Sequence, residues 1–374
     1  MVPRRPTSAD VAALAGVSRT TVSFVLNARP DVKIAPPTRR RVLDAAERLG
    51  YHPHGPARQL VGGSSQTIGL VLRQSPDQVA RDALLAETLR GLAAAARTAG
   101  FRVLVDTLGP GDRSYAGLVR SAQCDGLVIS GPRIDDPELG ELVADDFPLV
   151  IQGSMPSLAA PSVDVDNLAG SRDAVEHLIA LGHRSIACIT NAPLAYTAAA
   201  ERLAGYHAAL TVSGLPSAPV LVAEGGFDPT SGYRAIERLL GGRRHGEPPF
   251  TAVFVASDVV ALGALSALRE RGLRVPGDVS VVGFDDIPLA AYLHPSLTTV
   301  RLPAHELGLA AGRALLDRIA RREVARRTLL PTELVIRSST APVAGGAERR
   351  ITVPPARQAS VDGLRPVRAA SGKE

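Results

Sequence analysis

Apolar residues follow two different rhythms along this chain, and the change of rhythm divides it. Near the start the spacing is helical. Thr7-Ser8-Ala9-Asp10 puts a Thr at an N-cap with an acid three residues on, and Val11, Leu14 and Ala15 then share one face. Gly16 follows, a residue able to end a helix at positive φ. Ser18 can cap a second short helix in which Val22, Val25 and Leu26 face inward, leaving Arg19, Thr20, Ser23 and Asn27 on the other side. A third helix, with Pro36 or Pro37 in its first turn, runs to about Leu49 and stops at Gly50. Val42, Leu43, Ala46 and Leu49 complete a small core. Two short helices about a Gly-containing turn form a helix-turn-helix, whose second helix suits a major groove.

From residue 66 the rhythm becomes strand, helix, strand, helix. Apolar runs at 67–72, 101–106, 125–130 and 148–152 form one set, and runs at 185–190, 219–223, 251–256 and 279–284 a second. Ala- and Leu-rich helical segments at 82–99, 167–181, 198–213 and 257–270 lie between them. Continuous apolar strands separated by helices predict parallel sheets covered on both faces. Two sets predict an α/β core of two Rossmann-like lobes, with a ligand cleft at the carboxyl ends of their strands.

Composition narrows this picture. At 374 residues, 45% hydrophobic and 21% charged, the chain is globular and too long for one ordinary core. No apolar run reaches the ~18 residues of a membrane span, and no signal-peptide pattern opens the chain. Cys124 and Cys188 sit in apolar runs and supply neither a disulfide framework nor a zinc site. A cytoplasmic protein without metal or cofactor is expected. The net charge of +5 is small but uneven. Residues 1–63 hold ten Arg and Lys against four acids, residues 64–340 hold 26 against 30, and residues 341–374 hold six against three. A basic head on a mildly acidic body fits a polyanion-binding module joined to something else, although a solvated basic surface fits that charge as well.

The runs "TSADVAALAGVSRTTVSFVLN" (7–27), "TRRRVLDAAERLGYHP" (38–53) and "ARQL" (57–60) together resemble the LacI/GalR family of bacterial transcription regulators. The segments "GHRSIACIT", "ERLAGYHAAL", "VASDVVALGAL", "VPGDVSVVGFDD" and "PSLTTVR" look like that family's effector-binding core, which is similar to periplasmic sugar-binding proteins. The resemblance spans about residues 7–340. It implies a helix-turn-helix head at 1–54, a hinge helix and linker at 55–65, and a core whose chain crosses between lobes near 160, 288 and 324. The first lobe is then 66–160 with 289–323, and the second 161–288 with 324–340. Residues 341–374, rich in Ala, Pro, Gly and Arg without leucine heptads, read as a disordered tail.

Residue by residue, the resemblance implies that Arg19 and Thr20 read base edges, while Ser18, Thr21, Ser23, Asn27 and Tyr51 approach phosphates. Phe24 stands where many members carry a longer polar residue. Gly55 to Val61 matches the hinge, with Ala57 and Leu60 on DNA and Leu60 the minor-groove wedge. A helix this short is marginal alone. In the cleft, Arg202 matches a guanidinium that grips hydroxyls or a carboxylate, and Asp285 an acceptor for paired hydroxyls. Ser130 and Ser257 match polar cleft positions, and Phe227 an aromatic platform. Plainer readings stand beside these: Arg202 in a surface ion pair, Phe227 in core packing, Leu60 as a packing residue. Asp258 and Asp286 read as helix caps. The polar loop Arg73 to Arg81, Arg133, and Leu302-Pro303-Ala304 depart from the family pattern and leave the ligand open.

The resulting expectation is a homodimeric repressor of a near-palindromic operator on double-stranded DNA, controlled by a small molecule, foremost a sugar. A nucleobase-type corepressor and a plain solute-binding protein are the alternatives. An enzyme is disfavoured: Lys33 and Lys373 are the only lysines, and neither lies in a P-loop.

Overall fold

The computed structural model describes residues 6–26, 32–51, 64–109, 115–241 and 248–343. The head contains α1 (Ser8–Ala15), α2 (Arg19–Leu26) and α3 (Pro36–Leu49). Thr7 caps α1 through a reciprocal capping box with Asp10, and Gly16 ends it in the left-handed region at φ 63°. That turn sets α1 and α2 at 102°, within the range of a helix-turn-helix. Thr21 N donates to Ser18 Oγ at 3.1 Å, so Ser18 caps α2. Val11, Ala12, Ala15, Val22, Val25, Val42, Ala45 and Ala46 form the core of the head. Leu14 and Leu43, expected inside, are 50% and 46% exposed, and the smaller Ala12 and Ala45 take the inward positions.

The core begins with β1 (Thr67–Leu72), a short α4 (Pro76–Val79), α5 (Leu85–Thr98), β2 (Arg102–Thr107) and α6 (Tyr115–Arg120). It continues with β3 (Gly126–Ser130), α7 (Glu138–Ala144), β4 (Leu149–Gln152), β5 (Ser162–Val165) and α8 (Asn167–Ala180). Then come β6 (Ile186–Ile189), α9 (Thr197–Val212), β7 (Val222–Ala223), α10 (Pro229–Leu239), β8 (Ala252–Val255) and α11 (Asp258–Glu270). The chain closes through β9 (Ser280–Asp285), β10 (Thr298–Arg301), α12 (Ala304–Ile319), β11 (Arg327–Leu330) and β12 (Glu333–Val335).

These strands make two six-stranded sheets, ordered β11-β5-β4-β3-β1-β2 and β12-β10-β9-β8-β6-β7. All pairings in the first are parallel, and in the second only β12 runs antiparallel, against β10. Two Rossmann-like lobes are therefore present, as the alternation of the sequence implies.

Sheet membership moves the crossings later than 160, 288 and 324. β5 still belongs to the first sheet and β10 to the second, while β11 returns to the first before β12 rejoins the second. The passages thus lie at 166, 302–303 and 331–332. Residues 161–165 and 324–330 belong to the first lobe, and 289–301 to the second. Each crossing is fixed by which sheet a strand pairs into, with β11 and β12 at the edges and β5 and β10 beside them, and no local rhythm announces that. The run 219–223 is only partly a strand: Pro219 opens a 3₁₀ turn before β7. Glycines bring helices together within each lobe. A Cβ on Gly308 of α12 would lie 2.1 Å from the Thr88 carbonyl oxygen of α5.

Candidate functional site

The head presents a polar first turn. Ser18, Arg19 and Thr20 are exposed at the start of α2, and Thr21 and Ser23 are half-buried behind them. Tyr51 packs half-buried against the core of the head, which fixes its ring close to the end of α3. Asn27, Ala57, Leu60 and the hinge at 55–63 lie outside the described residues, as does the tail from 344 onward.

The five expected cleft residues come together. Ser130 ends β3, Arg202 lies on α9, Phe227 precedes α10, Ser257 follows β8 and Asp285 ends β9. All five line one cleft of about 850 Å³ that opens to solvent between the lobes. Its walls are the carboxyl ends of both sheets, where ligands of doubly wound folds sit.

Arg202 is the centre of its polar network. Its side chain is 6% exposed, its Nη1 donates to Asp285 Oδ1 at 3.1 Å and to the Ala256 carbonyl at 2.7 Å, and its Nε donates to Asn167 Oδ1 at 2.9 Å. The guanidinium lies over the Phe284 ring, 3.7 Å from its centroid. No surface acid takes it, which removes the plainer reading of Arg202. Its Nη2 has no partner among the described residues. Asp285 adopts φ 115°, a region unfavourable for a side-chain-bearing residue, so the end of β9 is held in a strained conformation. Burial pushes its carboxyl above the ordinary range, and Arg202 and the Ser257 hydroxyl oppose that shift.

Phe227 also has positive φ, 64°, and meets Tyr196 edge-on with ring centroids 4.9 Å apart. It is partly buried, packed against Ala192, Tyr196 and Ala199, and also lines the cleft. Asp258 and Asp286 are neither cleft residues nor side-chain caps. Asp258 accepts from Thr299 Oγ1 at 2.6 Å and Ile287 N at 3.0 Å, and Asp286 binds Arg301 and Arg337 at 2.8 and 2.6 Å. Both brace the loop that carries Asp285.

Sequence reasoning missed three amides. Gln74 Oε1, Gln152 Oε1 and Asn191 Oδ1 are buried without a hydrogen-bond partner among the described residues, and all three side chains line the cleft. Gln152 closes β4 and Asn191 follows β6, so their positions at strand carboxyl ends were the available signal. The polar loop after β1 supplies Gln74, Gln78 and Arg81 to the wall, and Leu302 adds an apolar contact. Arg133 is not a cleft cation. It pairs with Asp135 at 2.6 Å and covers the Tyr196 ring, beside a contact between lobes made by Tyr196 Oη donating to the Arg73 carbonyl at 2.8 Å.

A helix-turn-helix head joined to a two-lobed core with a polar interlobe cleft defines a DNA-binding regulator with a ligand-binding core. Comparisons agree over nearly the whole chain. Residues 7–54 match the model for bacterial regulatory proteins of the lacI family, and residues 175–340 that for a periplasmic binding protein-like domain. The HTH-type transcriptional regulator CelR of Thermobifida fusca is 37% identical over 342 residues, covering 90% of this chain and 98% of the relative. The repressor CytR of Escherichia coli K12 is 36% identical over 339 residues, 89% and 96% of the two chains. Among solved structures, a lac repressor dimer bound to operator and the anti-inducer ONPF superposes with TM-score 0.79 at 32% identity, covering 90% of this chain and 100% of that one. A CelR–cellobiose complex gives TM-score 0.67 at 35% identity with the same coverage. The chain belongs to the LacI family of bacterial regulatory proteins. It is a DNA-binding transcriptional regulator.

Proposed function

We propose that this regulator is a cytoplasmic, homodimeric repressor whose hold on a near-palindromic operator is set by a carbohydrate bound between its lobes. One observation carries the ligand class: Gln74, Gln152 and Asn191, which line the cleft together with Asp285 and Arg202, each hold a buried amide oxygen without a partner among the described residues. A ligand rich in hydroxyl donors satisfies that set, and Phe227 offers a surface for its C–H face. The cellobiose complex of the CelR relative supports the same chemistry.

In the head, Arg19 and Thr20 read base edges, Ser18, Thr21, Ser23, Asn27 and Tyr51 hold phosphates, and Ala57 and Leu60 act at the operator centre. Exposure of the first turn of α2 supports the first assignment.

Calorimetry on the full chain with cellobiose, monosaccharides and nucleosides tests the ligand class, with hits retested on a duplex selected from a random-core library. A sugar should bind and change duplex affinity by roughly 5–150-fold. Binding of nucleosides alone would replace the sugar with a nucleobase-type effector.

A further inference from the structure

The cleft occupies the carboxyl ends of the first sheet, and the amino ends carry a second feature. Because these strands are parallel, their first residues and the last residues of the helices returning to them share one face of the lobe. Arg97 lies in the last turn of α5, Arg102 opens β2, Arg321 follows α12, and Arg326 precedes Arg327, the first residue of β11. All five are exposed, and none has an acidic partner among the described residues. Of the nearby acids, Asp146 pairs with Arg318 at 2.9 Å and Asp317 with Arg322 at 3.0 Å, while Glu323 is exposed between Arg321 and Arg326 and offsets part of the charge. The core as a whole is acidic, with 26 basic against 30 acidic residues in 64–340, so this face stands against its background.

Its position matters as much as its charge. Asp125 accepts from Ser64 Oγ at 2.5 Å, from Ser65 N at 2.7 Å and Oγ at 2.9 Å, and from Gln66 N at 2.9 Å. These bonds fix the point where the chain enters the lobe onto the same amino-end face. Only residues 52–63 separate that point from Tyr51. Twelve residues, even fully extended, reach no farther than roughly 40 Å. Whatever duplex the head holds is therefore tethered near this face.

We propose that the arginine face of the first lobe is a second DNA contact, gripping the phosphate backbone that flanks the operator. This rests on the operator-binding reading above. Guanidinium forks suit phosphate oxygens, and such contacts add affinity without reading sequence. The face extends the footprint beyond the half-sites and makes affinity depend on duplex length.

The test uses the full chain and the selected duplex in two lengths, the operator alone and the operator with 15 added base pairs on each side. Wild type should bind the longer duplex about tenfold more tightly, with a steeper salt dependence, since each phosphate contact adds about 0.9 to the log–log slope. The variant R321S/R326S/R327S should lose that length advantage while binding the short duplex unchanged. R321K/R326K/R327K should largely restore it, because lysine also serves as a phosphate cation. Equal length dependence in wild type and the serine variant overturns the proposal, as does equal loss on both duplexes. Failure of the selection to enrich any sequence removes the operator reading itself, and this proposal with it.

Discussion

Arg202 Nη1 and Asp285 Oδ1 stand 3.1 Å apart and join α9 to the strained end of β9. The pair is nearly dry, and the same guanidinium also holds the Ala256 carbonyl and Asn167. On the proposed function, structure and ligand binding share this one side chain. Removing the cation leaves a buried acid uncompensated, so Arg202→Ala should destabilise the core by about 3–5 kcal/mol in urea unfolding. Asp285→Asn should be milder, because burial already disfavours that charge, yet sugar affinity should fall at least ~10-fold in calorimetry. Equal stability of Arg202→Ala and wild type would refute the shared role.

The amides of the cleft should behave oppositely. Gln152 Oε1 and Asn191 Oδ1 are buried without partners, a cost of about 1–3 kcal/mol each that a ligand removes. Gln152→Leu or Asn191→Leu should therefore keep or raise the unliganded melting temperature while weakening sugar binding about tenfold. A fall in both would mean the amides support the fold.

At the head, Arg19→Ala should cost roughly 1–3 kcal/mol on the selected duplex and relax preference at one symmetric base position. Loss of equal size on random DNA would assign Arg19 to phosphate.

Asp164, at the end of β5, supplies a pH signature. Burial raises its carboxyl to about 7, with Glu201 adding to the shift and Val165 N and Asn167 opposing it. The folded chain then holds a proton that the unfolded chain has released, between the ordinary carboxylate range and about pH 7. Stability from this group is present at low pH and is lost as pH rises through that window, by about 1.4 kcal/mol per unit at most. Asp164→Asn should flatten the fall of the urea midpoint between pH 5 and 7 relative to wild type. Parallel profiles would show that Asp164 titrates normally.

Packing of the first lobe offers a fifth check. Gly308→Ala would drive a methyl into the Thr88 carbonyl oxygen, a backbone atom that cannot swing away. Overpacking of this kind costs about 1–3 kcal/mol, readable as a lower urea midpoint. An unchanged midpoint would show that the two helices can part without cost.

Much of this architecture was legible because buried parallel strands leave continuous apolar runs, as at β1, β3 and β8. The strands β5, β10, β11 and β12 were not named. β11 and β12 are short and partly exposed, β5 carries a buried Asp164, and β10 holds two buried threonines. Missing them displaced every crossing between lobes. In the site, Arg202 and Asp285 lie within motifs that single them out, and the structure pairs them in the cleft. Gln74, Gln152 and Asn191 are isolated amides whose importance appears only when strand ends converge.

The late return of the chain to the first lobe has a temporal consequence. α12 and β11 come near the end of the described chain, yet Leu315 and Ile319 of α12 cover Gly126 of β3, and β11 pairs with β5. A ribosome finishes the head first, and domains fold as they emerge. The lobe that starts directly after the head must wait, open along one side, until residue 330 is made. The reading head is thus complete during synthesis well before the core that governs it.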